Sequence, residues 1–157
     1  MTIQIKTYLE RSENKLLLAK INYEISTQDA IKETLNIPLE KTFYNEVISE
    51  CYYAIFYSAK ALLLAHNINT KPPEEYKKTY SKFKEIIESK KQNKKLNEIY
   101  DEETKKAQPL LRIFKEEKNN RGRFTYKVNS NANKPFAKQS IKNAKFFTAT
   151  IKYLIDK

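Results

Sequence analysis

Glycine is nearly missing from this chain: Gly122 is the single one in 157 residues. Phosphate cradles built from glycine-rich loops are thereby excluded, because no stretch offers the repeated close approach of bare backbone that they need. Tryptophan is absent, and cysteine and histidine occur once each. With Cys51 alone there is no intramolecular disulfide, which fits a reducing compartment. One histidine and one cysteine make no metal-ligand cluster, so neither metal nor cofactor is expected. The start, Met1 to Lys6, lacks the apolar core of a signal peptide, and the longest apolar stretches are broken by Lys60 or end within a few residues. The expectation is a soluble, cytoplasmic protein with no membrane partner. Acid is missing too, but locally: from Lys118 to Ile155 there are nine Lys or Arg residues and no Asp or Glu.

What remains is charged, aromatic and helical in pattern. The formal net charge is +11, with 11 Tyr and 8 Phe, and so many rings argue for a packed chain rather than a disordered polyelectrolyte. The length suits one domain, 1–157. Apolar residues recur at three- and four-residue steps throughout, so the fold class expected is all-α, with no strand pattern and no repeat. The spacing predicts a first helix from Ile5 to about Ile25 and a short one from Thr27 to Asn36. Thr42 is placed to cap a long helix ending at His66, within which Glu46 to Ala65 should be the most buried stretch. That helix is apolar on two faces, one with Val47, Ile48, Cys51, Ile55 and Leu62, the other with Tyr53, Phe56, Tyr57 and Leu64. Both faces must be covered, as in a central helix or a subunit interface. Pro72-Pro73 opens a helix over 74–88 with Tyr76, Tyr80, Phe83, Ile86 and Ile87 inward. Helices over 96–119, bent near Pro109, and 136–155 complete the prediction.

The candidate chemistry gathers near the lone glycine, in Arg121-Gly122-Arg123-Phe124-Thr125-Tyr126. One reading makes Gly122 a helix end, with Phe124 and Tyr126 filling the core and the arginines solvated. The other lets two guanidinium forks flank a turn that a phosphate can approach closely, with Thr125 and Tyr126 hydroxyls and the Lys127 ammonium as further donors. Lys134, Lys138, Lys142 and Lys145 follow at helical spacing and line one stripe, either a solubilising surface or a track for a polyanion. His66, at the end of the central helix, is placed to complement the helix dipole, and Cys51 reads as a buried structural thiol.

At Ser49-Glu-Cys-Tyr-Tyr-Ala-Ile-Phe-Tyr-Ser-Ala-Lys-Ala-Leu-Leu63 the chain resembles the central-helix signature of HEPN (higher eukaryotes and prokaryotes nucleotide-binding) domains. Tyr8 to Lys20 is similar to the first helix of that family, and Ser140 to Phe147 to its last. The resemblance implies an up-and-down helical bundle, paired as a homodimer whose cleft unites two copies of an arginine motif. In ribonuclease members that motif is an Arg followed after four to six residues by a His. Arg121 matches the Arg, but the His is absent and Tyr126 stands where it would first be allowed. The pattern is similar to a subgroup with Arg-x-x-x-x-Tyr.

The departure bears on catalysis. Metal-independent RNA cleavage needs a base with a pKa near 7, and a phenol near 10 is mostly protonated. The favoured reading is an RNA- or nucleotide-binding HEPN protein. The resemblance implies that it is the HEPN component of a toxin-antitoxin-type pair with a small nucleotidyltransferase, Tyr126 being a modification target by position. The alternatives are a weak endoribonuclease using Arg121 and Tyr126, and a helical scaffold that only binds partners.

Overall fold

The computed structural model describes residues 1–89, 94–105 and 133–157. Among these residues the regular structure is helical: α1 (Ile3–Thr27), α2 (Asp29–Thr34), α3 (Tyr44–Ala65), α4 (Glu75–Ser89), α5 (94–105) and α6 (Lys134–Asp156). The all-α bundle expected from the period is what the chain forms.

The long helices run up and down. In α1, Thr2 caps the start by accepting from the Ile5 N–H at 3.4 Å, and Ile5, Leu9, Ser12 and Ala19 recur on the buried edge. Small residues at Ser12 and Ala19 let α1 lie close to α3, and Ser12 Oγ donates to the Ala54 carbonyl at 2.6 Å. Lys15 pairs with Glu50 at 2.8 Å and Ser26 Oγ accepts from the Phe43 N–H at 2.7 Å. Rising numbers on α1 thus meet falling numbers on α3, so the two are antiparallel. Lys152 on α6 meets Glu13 on α1 at 2.9 Å. Near the other end of α6, Asn133 donates to Asn45, so α6 is antiparallel to α1 and parallel to α3.

α3 is the central helix. Fourteen of its 22 residues are buried, among them Val47, Ile48, Cys51, Ile55 and Leu63. By length and composition it could span a membrane, yet its apolar surface is taken up inside the bundle, as a core helix requires. Phe83 of α4, Tyr100 of α5 and Phe147 of α6 complete the core, with ring centroids 5.4 to 5.9 Å apart, a range favourable for tilted aromatic packing.

The scarcity of glycine is met by asparagine. α2 and α3 both end with an asparagine in the left-handed region, Asn36 (φ 55°) and Asn67 (φ 60°). At α3, the Asn67 N–H donates to the Leu64 carbonyl at 2.9 Å and Ile68 N–H to Leu63 at 2.8 Å. At α2, Asn36 N–H reaches Glu33 at 3.2 Å and Ile37 N–H reaches Lys32 at 2.8 Å. Both are the paired 5→2 and 6→1 closure that usually uses glycine, here with asparagine, whose short polar side chain tolerates αL.

Two local expectations are corrected. Phe43, not Thr42, holds the N-cap position of α3, and its N–H is satisfied by Ser26 of α1, a tertiary bond in place of a local cap. Tyr76, expected inward, is 48% exposed: it stands in the first turn of α4, with part of its ring against Tyr52 and Phe56 of α3 at 6.2 and 4.6 Å and the rest open to solvent. The bend expected near Pro109 lies outside the described residues.

Candidate nucleic-acid interface

α6 places the charged surface. Pro135 sits in its first turn, where a missing N–H costs nothing, and Ala137, Ser140, Asn143, Ala144, Phe147 and Ile151 follow on the buried edge. With that edge anchored, the helical period carries Lys134, Lys138, Lys142 and Lys145 to the outside, and all four are exposed. By the 1.5 Å rise per residue the row extends roughly 16 Å. None of the four has a carboxylate within ion-pair distance among the described residues, whereas Lys152, further along, is paired with Glu13.

This arrangement is unfavourable for the helix itself. Like charges three or four residues apart destabilise a helix by about 0.2–0.5 kcal/mol per pair. The first turn holds no acid and does hold Lys134, so a cation sits at the positive end of the helix dipole. A bound polyanion would relieve both effects at once.

A polar chain, buried at Asn143 and Glu103, holds α6 in register against α5. Gln139 Nε2 donates to Asn143 Oδ1 at 3.0 Å, and Asn143 Nδ2 donates to Glu103 Oε1 at 2.8 Å. Glu103 is fully buried. The packing of Tyr100 against Phe147, 5.9 Å between centroids, lies one turn away, and burial holds the Tyr100 phenol well above its ordinary range. Neither Glu103 nor Asn143 was singled out from sequence. The signal was available: Leu96, Ile99, Tyr100 and Glu103 fall on one helical edge, and an acid on an apolar edge asks for a buried partner.

Arg121, Arg123, Thr125, Tyr126 and Lys127 lie outside the described residues. Lys134, Lys138 and Lys142 are therefore the expected site residues that the structure brings together. His66 occupies the C-cap of α3, and Cys51 is fully buried in the core, as expected for a structural thiol. No group of three or more potential metal ligands occurs among the described residues.

A second polar and aromatic assembly lies where α1, α3 and α4 meet. The Tyr8 and Tyr57 rings stack at 6.1 Å, with the Arg11 guanidinium 5.7 and 5.8 Å from their centroids. Lys60 is buried beside them, donating to the Thr70 carbonyl at 3.2 Å and to the Glu75 carboxylate. Burial alone would lower the Lys60 pKa, but the bonds to Glu75 and the Tyr8 hydroxyl outweigh it and raise it. Tyr53 neighbours this group, and burial, with Tyr76 and Glu50 close by, pushes its phenol up to about 12.

Two comparisons bear on identity. The family model for the HEPN domain matches residues 32–154, from α2 to the end of α6. A curated relative from Methanocaldococcus jannaschii, named as a candidate toxin, is 38% identical over 58 residues, which is 37% of this chain and 43% of that protein. The match thus spans less than half of the relative's length.

Proposed function

The chain belongs to the HEPN domain family, and from that premise we propose that it is a toxin-type HEPN protein whose ligand is RNA or a nucleotide. The observation that carries this is the row of exposed lysines on α6 without acidic partners among the described residues. A helix that keeps such a row at a cost to its own stability is suited to neutralising consecutive phosphates. The relative named as a candidate toxin supports the toxin side of the reading. Arg121 and Arg123 would add bidentate phosphate contacts, with Thr125 and Lys127 as further donors. The reading extends to a single cytoplasmic domain, 1–157, acting as a homodimer with its two Arg121 motifs in one cleft, and to a small nucleotidyltransferase as its protein partner.

Cleavage is weak or missing in this proposal, because no histidine follows Arg121 at the family spacing and general-base catalysis typically contributes ~10²–10⁴-fold. Tyr126 then serves as hydrogen-bond donor or modification site.

The test is fluorescence anisotropy with a labelled single-stranded RNA across a salt series. The Lys134→Ala, Lys138→Ala, Lys142→Ala variant should flatten the log-log salt slope by about 2, at roughly 0.7 per phosphate on a single strand. An unchanged slope would remove α6 from the interface. Incubating RNA with the parent, Arg121→Ala and Tyr126→Phe in chelator tests cleavage. Robust cleavage lost in both variants would make the protein an endoribonuclease instead.

A further inference from the structure

Between the first turns of α1 and the end of α3 lies a cavity of about 160 Å³, lined by Gln4, Thr7, Tyr8, Arg11, Leu64 and Asn69. One of these side chains is a cation and none is an acid. Two neighbouring cations are neutralised, Lys15 by Glu50 at 2.8 Å and Lys60 by Glu75, and Lys6 is exposed outside the lining. Arg11 is the cation in the lining. It is exposed, and no carboxylate lies within ion-pair distance of it among the described residues.

Its position is nevertheless defined. The guanidinium rests over two stacked tyrosine rings, and such a contact uses the ring faces while leaving the N–H edges available. A fork already held in place loses little rotamer freedom when a ligand arrives. Around it, the Gln4 and Asn69 amides are neutral donors. Lys60 Nζ lies 4.7 Å from the centroid of the Tyr8 ring. The Thr7 hydroxyl is already spent on the Ile3 carbonyl at 3.0 Å. A cavity with an unpaired planar cation, neutral donors and no acid in its lining suits an anion that presents two oxygens to the guanidinium fork and others to the donors around it.

We propose that this cavity is a phosphoryl-binding site, with Arg11 as the bidentate ligand and the Gln4 and Asn69 amides as secondary donors. It is made by elements other than the lysine row of α6 and does not depend on the reading of Arg121. Either inorganic phosphate or the 5′-phosphate of a mononucleotide could supply the group.

The experiment is calorimetric titration of the full chain with inorganic phosphate, a nucleoside 5′-monophosphate and the unphosphorylated nucleoside, with amide chemical shifts followed by NMR. Both phosphorylated ligands should bind saturably and the nucleoside should not. Tighter binding of the monophosphate than of phosphate would identify a nucleotide as the source, and equal binding a free phosphate; either supports the site. Arg11→Ala should weaken binding by about tenfold or more, as expected for losing a charge-assisted pair of hydrogen bonds, and Arg11→Lys should fall between. The Lys134→Ala, Lys138→Ala, Lys142→Ala variant should bind phosphate like the parent. Shifts should concentrate on residues 4–11 and around 69, a readout on the parent protein that requires no variant to fold. Absence of saturable binding, parental affinity in Arg11→Ala, or loss confined to the α6 variant would each overturn the proposal.

Discussion

Lys60 and Lys138 carry the same ammonium into opposite circumstances. Lys60 is buried among α1, α3 and α4, held by a carbonyl and a carboxylate, with an aromatic face 4.7 Å away. Lys138 stands exposed on α6 with another lysine one turn to either side and no acid in reach among the described residues. The first charge is satisfied by the fold and so serves architecture. The second has no acid in reach among the described residues, so the packed helices leave it available to a partner. Where a protein pairs its charges and where it leaves them bare separates what holds it together from what it presents.

The largest effect expected from breaking this contrast is at the paired site. Lys60→Met should destabilise the fold by about 2–3 kcal/mol in urea melts; Glu75, whose side chain is 24% exposed, can partly recover water and so limits the loss. The same pair predicts a pH effect. The folded pKa of Lys60 is raised above its ordinary 10.5, so its contribution is complete below that value and is lost as pH rises through the folded pKa. Melts of the parent above pH 10.5 should lose stability that Lys60→Met does not.

A smaller loss is expected where α6 meets α5. Asn143→Ala removes the amide that donates to the buried Glu103 carboxylate, and about 1–2 kcal/mol should disappear in the same melts. The smallest effect belongs to the bare surface. Lys138→Ala should change stability by less than ~0.5 kcal/mol, with the sign toward stabilisation because a like-charge repulsion is removed. A large destabilisation there would show that the row is structural after all and would dissolve the comparison.

The period of the apolar residues was enough to read α1, α3 and α6 to within about two residues of their ends, because each buries an edge in a core made by its neighbours. It was also enough to bring Lys134, Lys138, Lys142 and Lys145 to one exposed edge, since the same period that buries Ala144 and Phe147 turns those positions outward. Tertiary substitution defeated it at Thr42, where Ser26 reached across from α1 to satisfy Phe43, and the place of Tyr76 in the first turn of α4 left its ring half exposed. The Arg11 cavity was invisible for a related reason. Its lining comes from Gln4 to Arg11, Leu64 and Asn69, and no spacing rule joins residues that only the antiparallel packing of α1 on α3 makes neighbours. Glu103 lay on a readable edge but gave no hint of Asn143, which is 40 residues away in sequence.

The two asparagine corners bear on how the protein ages. Asparagine degrades when the backbone nitrogen of the following residue attacks its side-chain amide to close a succinimide ring, and a small next residue makes that attack easy. Asn36 and Asn67 are each followed by isoleucine, whose branched side chain crowds the approach. In both corners the nitrogen that would attack, that of Ile37 or Ile68, is already committed at 2.8 Å to a helix carbonyl. The geometry that lets asparagine stand in for glycine also shields it from its own characteristic decay, so these corners should keep their side-chain amides longer than an exposed asparagine in a loose loop.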